Sequence, residues 1–209
     1  RAHGVDLREG VGVERLTGRD GRVTGAVLSH GAEIAADLVI VGIGIRPATD
    51  LAEAADLAIE NGIRVDEVGH SSDPAIFAAG DCASFPWRGR RIRLESVQNA
   101  VDQAGSVAAA MLGRGTPYDP VPWFWSDQYD LKLQIAGLGE GHERIVRRPG
   151  ARAGSVSHWY FKGRELLAVD AISDPRAFMA GRTLLEKGRA VSPAMIADPG
   201  TDLKEMMRA

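Results

Sequence analysis

The segment SSDPAIFAAGDCA, residues 71–83, constrains the fold of this chain more than any other. Its apolar part, residues 74–79, has the composition of a strand buried on both faces, and it leads directly into Gly80 and Asp81. In α/β proteins, ligands bind at the carboxyl ends of such strands. Gly80 lets a ligand approach the backbone, and the Asp81 carboxylate is an acceptor suited to a sugar or polyol hydroxyl. An aspartate that caps the next helix is an equally good interpretation.

A second apolar run, residues 38–41, leads into Gly42 and Gly44 and also predicts a buried strand, followed by a helix from about Thr49. The two glycines resemble the start of a dinucleotide-binding fingerprint. Pro47, however, occupies the position of the third glycine, and no acidic ribose ligand follows at the expected distance. We therefore expect a turn that passes close to a cofactor held elsewhere, and not a primary dinucleotide site.

Turn dipeptides and hydrophobic periodicity predict the other elements of the first half. Residues 4–29 are expected to form a β-meander with turns at Asp20-Gly21 and His30-Gly31. Residues 63–66 are expected to be extended. Residues 99–112 repeat apolar side chains on one face of a helix, and the proline-rich residues 114–122 are expected to form a linker.

Beyond this linker the pattern changes to antiparallel strands. Four strands are predicted, at residues 128–137, 144–148, 155–161 and 165–172, the last two joined as a hairpin across residues 162–164. Asp174 followed by Pro175 predicts a capped helix that extends to about Lys187. The sequence therefore indicates an α/β portion followed by an α+β portion.

Composition excludes several classes of protein. The chain has 44% apolar residues and a net charge of -3, so we expect no nucleic acid and no membrane as partner. The single cysteine, Cys82, cannot form an intramolecular disulfide and is expected to be a small buried residue. The five histidines lack metal-ligand spacing. With a single cysteine and no apolar run long enough to span a membrane, a cytoplasmic location is expected. Arginines 88, 90, 91 and 93 are expected to form a solvated face, or to steer an acidic protein partner.

Four ordered motifs carry a resemblance to a known family. They are VGIGIRP at 41–47, AIFAAGD at 75–81, RLESVQNAVDQA at 93–104 and PWFWSDQY at 122–129. Together they resemble the carboxyl half of the FAD-dependent, NADH-using ferredoxin reductases of the putidaredoxin reductase and biphenyl dioxygenase reductase type. The apoptosis-inducing factor family is a more distant relation.

The resemblance implies an α/β fold: the returning part of a Rossmann-like flavoprotein with FAD- and NAD-binding domains, plus a C-terminal α+β domain with an antiparallel sheet. It implies the end of an NADH-binding domain at 1–41, the second part of a discontinuous FAD-binding domain at 42–114, and a C-terminal reductase domain at 115–209. The glycine fingerprints for the two pyrophosphates are not in this sequence. We therefore expect a fragment that needs an N-terminal half and is inactive alone.

The resemblance also implies roles for residues around a flavin. Asp81, preceded by Gly80, would bind the ribityl chain. Glu95, Ser96 and Val97 would lie beside the isoalloxazine ring, with Glu95 also near the nicotinamide amide. No residue is expected to act as a nucleophile.

Two tryptophans and one glycine complete the implied site. Trp125 would lie beside the flavin, Trp123 would lie toward the surface where an iron–sulfur partner docks, and Gly44 would pass close to NADH. From spacing alone, the two tryptophans are more simply two core aromatics on one face of a strand.

The function that the resemblance implies is electron transfer from NADH through FAD to a [2Fe-2S] ferredoxin that serves an oxygenase. NADH and NADPH remain alternatives. A flavoprotein with a binding or signalling role, as in apoptosis-inducing factor, is the main rival function, and an NADH oxidase or peroxidase is another. A disulfide reductase is disfavoured because the chain has neither a second cysteine nor a His-Pro dipeptide.

Overall fold

A computed structural model describes residues 4–208 of the chain, except the side chain of Arg208. The chain divides into two compact units between Arg46 and Pro47. The first contains a three-stranded antiparallel sheet of order β1-β2-β3, formed by Val13–Arg19, Arg22–Leu28 and Glu33–Ala35. Asp20 and Gly21, both with positive φ (52° and 74°), form the tight turn between β1 and β2. The predicted meander is therefore confirmed.

The predicted buried strand at residues 38–41 is wrong for this structure. Leu38, Ile40 and Val41 are 76%, 87% and 67% exposed, and no strand is assigned there. A strand exists only where a neighbour pairs with its backbone. None of the described strands pairs with this segment, so its apolar composition does not lead to burial here.

The second unit begins with α1 (Asp50–Ala54) and a small sheet of order β4-β5-β6, formed by Ile63–Arg64, Ala83–Trp87 and Arg90–Ile92. The strand predicted at residues 74–79 is also wrong, since only one isolated bridge, His70 to Phe77, forms there. The Asp73 carboxylate accepts a hydrogen bond from Ala75 N at 2.8 Å. This Asx turn, together with Pro74, bends the segment and prevents regular pairing.

The predicted helix at residues 99–112 is confirmed as α2 (Val97–Met111), which begins earlier because Ser96 caps it. The predicted apolar face is not the buried one. The buried stripe of α2 consists of Asn99, Gln103 and Val107. Apolar side chains on the rest of the helix are largely exposed, namely Val97, Val101 and Met111.

The rest of the unit is a five-stranded antiparallel sheet of order β7-β8-β11-β10-β9. Its strands are Trp123–Gln128, Leu131–Gly137, Arg144–Pro149, Val156–Lys162 and Glu165–Ile172, numbered β7 to β11. The strand predicted at residues 128–137 is confirmed as β8, which begins later than predicted, at Leu131, because the chain turns at Tyr129 with a φ of 55°. The predicted β10–β11 hairpin is confirmed.

Three helices complete the C-terminal part: α3 (Pro175–Glu186), α4 (Pro193–Ala197) and α5 (Leu203–Arg208). Helix α3 is the predicted one, and the Asp174 carboxylate caps it by accepting from Ala177 N at 3.2 Å. Trp159, Phe161 and Ile196 are fully buried in the core between the sheet and these helices. Within residues 4–208, no helix is long and apolar enough to cross a membrane.

Candidate cofactor site

The candidate site is centred on a single helical turn, Gly80–Cys82, that precedes β5. Gly80 has a φ of +78°, a backbone conformation that is costly for any residue with a side chain. The Asp81 side chain is exposed, and only its backbone carbonyl is engaged by a described residue, through Arg93. The helix-cap interpretation of Asp81 is wrong because Ser96 caps the next α-helix. The Asp81 carboxylate therefore remains available as an acceptor for a ligand.

The turn is anchored to α2 through a buried glutamine. Gln103 Oε1 accepts from Gly80 N at 2.8 Å and from Asn99 Nδ2 at 3.4 Å. Asn99 Nδ2 also donates to Leu94 O at 3.2 Å, and Tyr118 donates to Asn99 Oδ1 at 3.1 Å. Both N–H groups of Asn99 Nδ2 meet acceptors and Asn99 Oδ1 meets a donor, while Gln103 Oε1 meets the Gly80 N–H, and these contacts set the two amide orientations. The Gly80–Cys82 turn is thus connected through α2 to Tyr118 in the linker.

Tyr118 is expected to remain a neutral donor well into the alkaline range. Burial, with a smaller contribution from Asp102, raises its pKa from 10.0 to about 12. Its contribution to stability is therefore complete below pH 10 and is lost as the pH rises through about 12. In a spectrophotometric pH titration, Tyr118→Phe should remove a phenolate that forms near pH 12. Removal of a tyrosine that titrates at its ordinary pKa would contradict this expectation.

The residues predicted to lie beside a flavin follow β6 directly. Glu95 forms an ion pair with Arg93, with 2.7 Å between Oε1 and Nη1. The Ser96 hydroxyl accepts from Asn99 N at 3.1 Å, so this side chain serves as the cap of α2. Val97 is 63% exposed on the first turn of α2, and Val101 one turn later is 66% exposed. The structure therefore brings Glu95, Ser96 and Val97 together at the start of α2.

The tryptophans of β7 are connected to the same helix start. Trp123 lines a small cavity together with Ser96, Gln98 and Asn99. Its ring lies 5.8 Å from that of Trp125, and both project from one face of the strand, as their spacing predicts. The start of α2 and Trp123 thus share one cavity, and Trp125 lies next to Trp123 on the same strand face.

Trp123 packs against the C-terminal core, and its predicted place beside a docking surface for an iron–sulfur partner stays a prediction. Its ring lies 6.1 Å from Phe178, and the guanidinium of Arg182 stacks over it at 5.0 Å. Trp123 is half-buried against the C-terminal core, because the inner face of β7 packs on α3. Gly44, the remaining predicted residue, lies in the first unit with a φ of +100°, and no described residue other than its chain neighbours has an atom within 4 Å of where its Cβ would be.

The residues of the site suit a flavin better than a metal. Asp81 supplies a free acceptor for hydroxyl groups, while Val97, Val101 and Trp125 supply apolar surface for a planar ring. Among the described residues, no group of His, Cys, Asp and Glu has the arrangement of a metal site. Cys82 is only partly buried, and its thiol lies 3.5 Å from Ala79 O.

Sequence reasoning missed the buried polar residues that support the site. Asn99 and Gln103 are four residues apart on α2, a spacing that places two amides on one helix face. They were overlooked because the apolar periodicity indicated a different buried face. The arginine cluster is also not a free basic face: Arg88 pairs with Asp119 at 3.6 Å, Arg91 with Glu60 at 3.5 Å, and Arg90 with Glu140.

Two family profiles match the chain. Residues 1–104 match the pyridine nucleotide-disulphide oxidoreductases, and residues 123–207 match the family described as reductase C-terminal. Of the curated relatives, rhodocoxin reductase of Rhodococcus erythropolis is 45% identical over 97% of this chain and 48% of its own length. The chain thus spans about half the length of the curated relatives it matches.

The solved structures that resemble this chain also include ferredoxin reductases. The ferredoxin reductase for the CYP199A2 system of Rhodopseudomonas palustris superposes with a TM-score of 0.92 at 41% identity, covering 98% of this chain and 51% of that one. Putidaredoxin reductase in covalent complex with putidaredoxin superposes with a TM-score of 0.91 at 39% identity, covering 99% and 51%. These similarities confirm the α/β fold class and the family resemblance of the four sequence motifs.

Proposed function

Because this chain belongs to the pyridine nucleotide-disulphide oxidoreductase family, we propose that it is part of a reductase that passes electrons from NAD(P)H through FAD to a [2Fe-2S] ferredoxin serving an oxygenase. The juxtaposition of the Gly80–Cys82 turn with α2 carries the proposal. It presents an unengaged carboxylate beside exposed apolar side chains. The names of similar proteins, rhodocoxin reductase and putidaredoxin reductase, support it.

In this proposal the chain holds the flavin and excludes water from it. Asp81 accepts hydrogen bonds from ribityl hydroxyls, with Gly80 allowing the close approach. Val97 and Trp125 pack against the ring, and Ser96 keeps α2 and its N-terminal dipole in place beside it. Bound FAD would supply the redox chemistry, because a flavin can accept two electrons together and release them one at a time.

Two further residues are assigned to the binding of the nicotinamide nucleotide. The exposed carboxylate of Glu95 accepts from the carboxamide N–H of the nicotinamide. Gly44, which has open space where a side chain would begin, lets the nucleotide pass close to the backbone. Neither residue transfers a proton in this scheme, so their contribution is orientation.

The proposal includes an N-terminal portion that supplies the glycine fingerprints for the FAD and NAD pyrophosphates. It retains the division into the end of an NADH domain (1–41), part of an FAD domain (42–114) and a C-terminal domain (115–209). A cytoplasmic location is also part of it, since NAD(P)H is the electron donor. Stoichiometric FAD binding by the 209 residues alone would contradict the need for that further portion.

Asp81→Ala tests the cofactor assignment. Loss of a charged hydrogen-bond acceptor should weaken FAD binding by about 10- to 100-fold, as measured by fluorescence titration of the apoprotein of the complete reductase. Asp73→Ala, which removes a carboxylate used only in a local turn, is the control and should leave FAD affinity unchanged. Equal FAD affinity in the Asp81→Ala variant and the wild type would refute the role of Asp81.

The electron acceptor requires its own measurement. Stopped-flow reduction of the complete reductase by NADH, followed by turnover with a panel of [2Fe-2S] ferredoxins, should show rapid transfer to at least one of them. A protein that binds FAD but reduces no ferredoxin would instead favour the binding or signalling role.

A further inference from the structure

We propose that Arg93 is a positioning residue that holds Asp81 and Glu95 in a fixed relation, so that one side chain aligns the flavin-binding turn with the carboxylate that faces the nicotinamide. This inference rests on the proposed function, because it assigns a role at the same site. Sequence reasoning placed Arg93 on a solvated basic face. In the structure its side chain is only 9% exposed.

Two contacts of one nitrogen carry the proposal. Arg93 Nη1 donates to the backbone carbonyl of Asp81 at 3.0 Å. The same Nη1 lies 2.7 Å from Glu95 Oε1. The two partners are the residues assigned to the ribityl chain and to the nicotinamide amide, and a displacement of the guanidinium would therefore move both.

The surrounding backbone is shaped to admit this arginine. Gly62 has a φ of +123°, and a Cβ there would lie 3.0 Å from Arg93 Cδ and 2.6 Å from Cys82 O. Only glycine leaves room for the arginine stem to pass beside the Gly80–Cys82 turn. The guanidinium is thus held in a slot formed by the Gly62 backbone and the turn that carries Asp81.

The arrangement contributes more to geometry than to folding stability. Arg93 Nε is buried and has no hydrogen-bond partner among the described residues, which costs free energy. Glu95 keeps 40% of its side chain exposed, so loss of the ion pair would leave its charge hydrated. An apolar side chain at position 93 should therefore be tolerated in folding while both alignments are lost.

Arg93→Met in the holoenzyme tests the proposal. We expect the KM for NAD(P)H, measured with ferricyanide as acceptor, and the FAD dissociation constant each to rise about 10-fold. The visible absorption band of the bound flavin should shift, while the midpoint of thermal unfolding should stay within about 4 °C of the wild type. Arg88→Met, which removes an exposed arginine paired with Asp119, is the matched control and should change none of these quantities.

Arg93→Lys separates the two contacts. The lysine side chain is shorter than that of arginine, so its ammonium would not reach the position from which Nη1 contacts both partners. The exposed Glu95 carboxylate can move to pair with the ammonium, whereas the backbone carbonyl of Asp81 is fixed and loses its donor. The lysine variant should restore the KM for NAD(P)H toward the wild-type value and leave FAD binding weakened. The proposal is overturned if a flavin-loaded wild type and both Arg93 variants share the same KM, FAD affinity and spectrum. A wild-type protein that binds no flavin would overturn the proposed function instead, and that result is distinguishable.

Discussion

Replacement of Gln103 by leucine is expected to lower the free energy of unfolding by about 2–5 kcal/mol and to loosen the Gly80–Cys82 turn. Gln103 is 2% exposed, and its Oε1 is the acceptor for both Gly80 N and Asn99 Nδ2. Leucine would fill the space but leave Gly80 N without an acceptor and one N–H of Asn99 Nδ2 unpaired, at about 1–3 kcal/mol each. Urea denaturation of the variant and the wild type measures the loss.

A matched control lies on the same helix. Gln98 Oε1 is buried without a hydrogen-bond partner among the described residues, so Gln98→Leu removes an acceptor that nothing uses. That change should alter the free energy of unfolding by less than about 1 kcal/mol. If the two leucine variants were equally destabilised, the loss would come from packing on α2 and not from the Gly80 hydrogen bond.

Hydrogen exchange locates the effect of Gln103→Leu. The amide of Gly80 should exchange faster in the variant because its acceptor is gone, whereas amides in the middle of β10 should lose protection only as far as global stability falls. Faster exchange confined to the turn would show that Gln103 positions Asp81 in addition to stabilising the fold. The network through Asn99 to Tyr118 predicts a smaller effect of the same kind for Tyr118→Phe.

The features that were predictable from the sequence are those set by local chemistry. The cap at Asp174 followed by Pro175 fixes the start of α3. The dipeptides Asp20-Gly21 and Gly163-Arg164 set the hairpin turns, since their backbone conformations suit few other residues. Asp81 was predicted to follow a buried strand at residues 74–79, which does not form, but Gly80 with its positive φ still turns the chain so that the Asp81 side chain is exposed.

The predictions that failed concern elements whose burial depends on contacts with residues distant in sequence. The apolar run at residues 38–41 specifies a buried strand only if other strands flank it, and the structure leaves Ile40 87% exposed. On α2, hydrophobic periodicity could not identify a buried stripe that is polar, because Asn99 and Gln103 are buried through partners at positions 80, 94 and 118. The ion pairs of the arginines could not be predicted either, because a partner such as Glu140 lies far along the chain from Arg90.

Replacement of Arg148 by methionine is the change expected to affect the C-terminal part most. Arg148 is 8% exposed. Its Nη1 donates to Ile196 O and Asp198 O at 2.9 and 2.7 Å, and its Nη2 donates to Pro199 O and Thr201 O at 3.4 and 2.7 Å. Methionine would remove these four hydrogen bonds, and Asp198 O would keep only the one from Thr201 N at 3.1 Å, at a cost of about 3–5 kcal/mol. Urea denaturation and limited proteolysis should show the loss, with new cleavage between residues 197 and 205.

Arg147→Met provides the control for charge and chain length. Arg147 precedes Arg148 on β9 but is exposed on the opposite face, because side chains alternate along a strand. Its replacement should change stability by no more than about 0.5 kcal/mol. A comparable loss in both variants would mean that net positive charge, and not the hydrogen bonds to the C-terminal segment, stabilises this region.

Arg148→Lys distinguishes the geometry of the guanidinium from its charge. The planar guanidinium contacts carbonyls spread from Ile196 to Thr201, whereas an ammonium presents its donors from one point. Lysine should therefore recover less than half of the stability lost in the methionine variant and leave the segment open to protease. Full recovery would show that a buried positive charge near these carbonyl dipoles is sufficient. Partial recovery would instead show that the two separate Nη atoms of the arginine are needed to hold α4 and α5 on the sheet. Ile196 and Met206 belong to the buried core, so both depend on that segment staying in place.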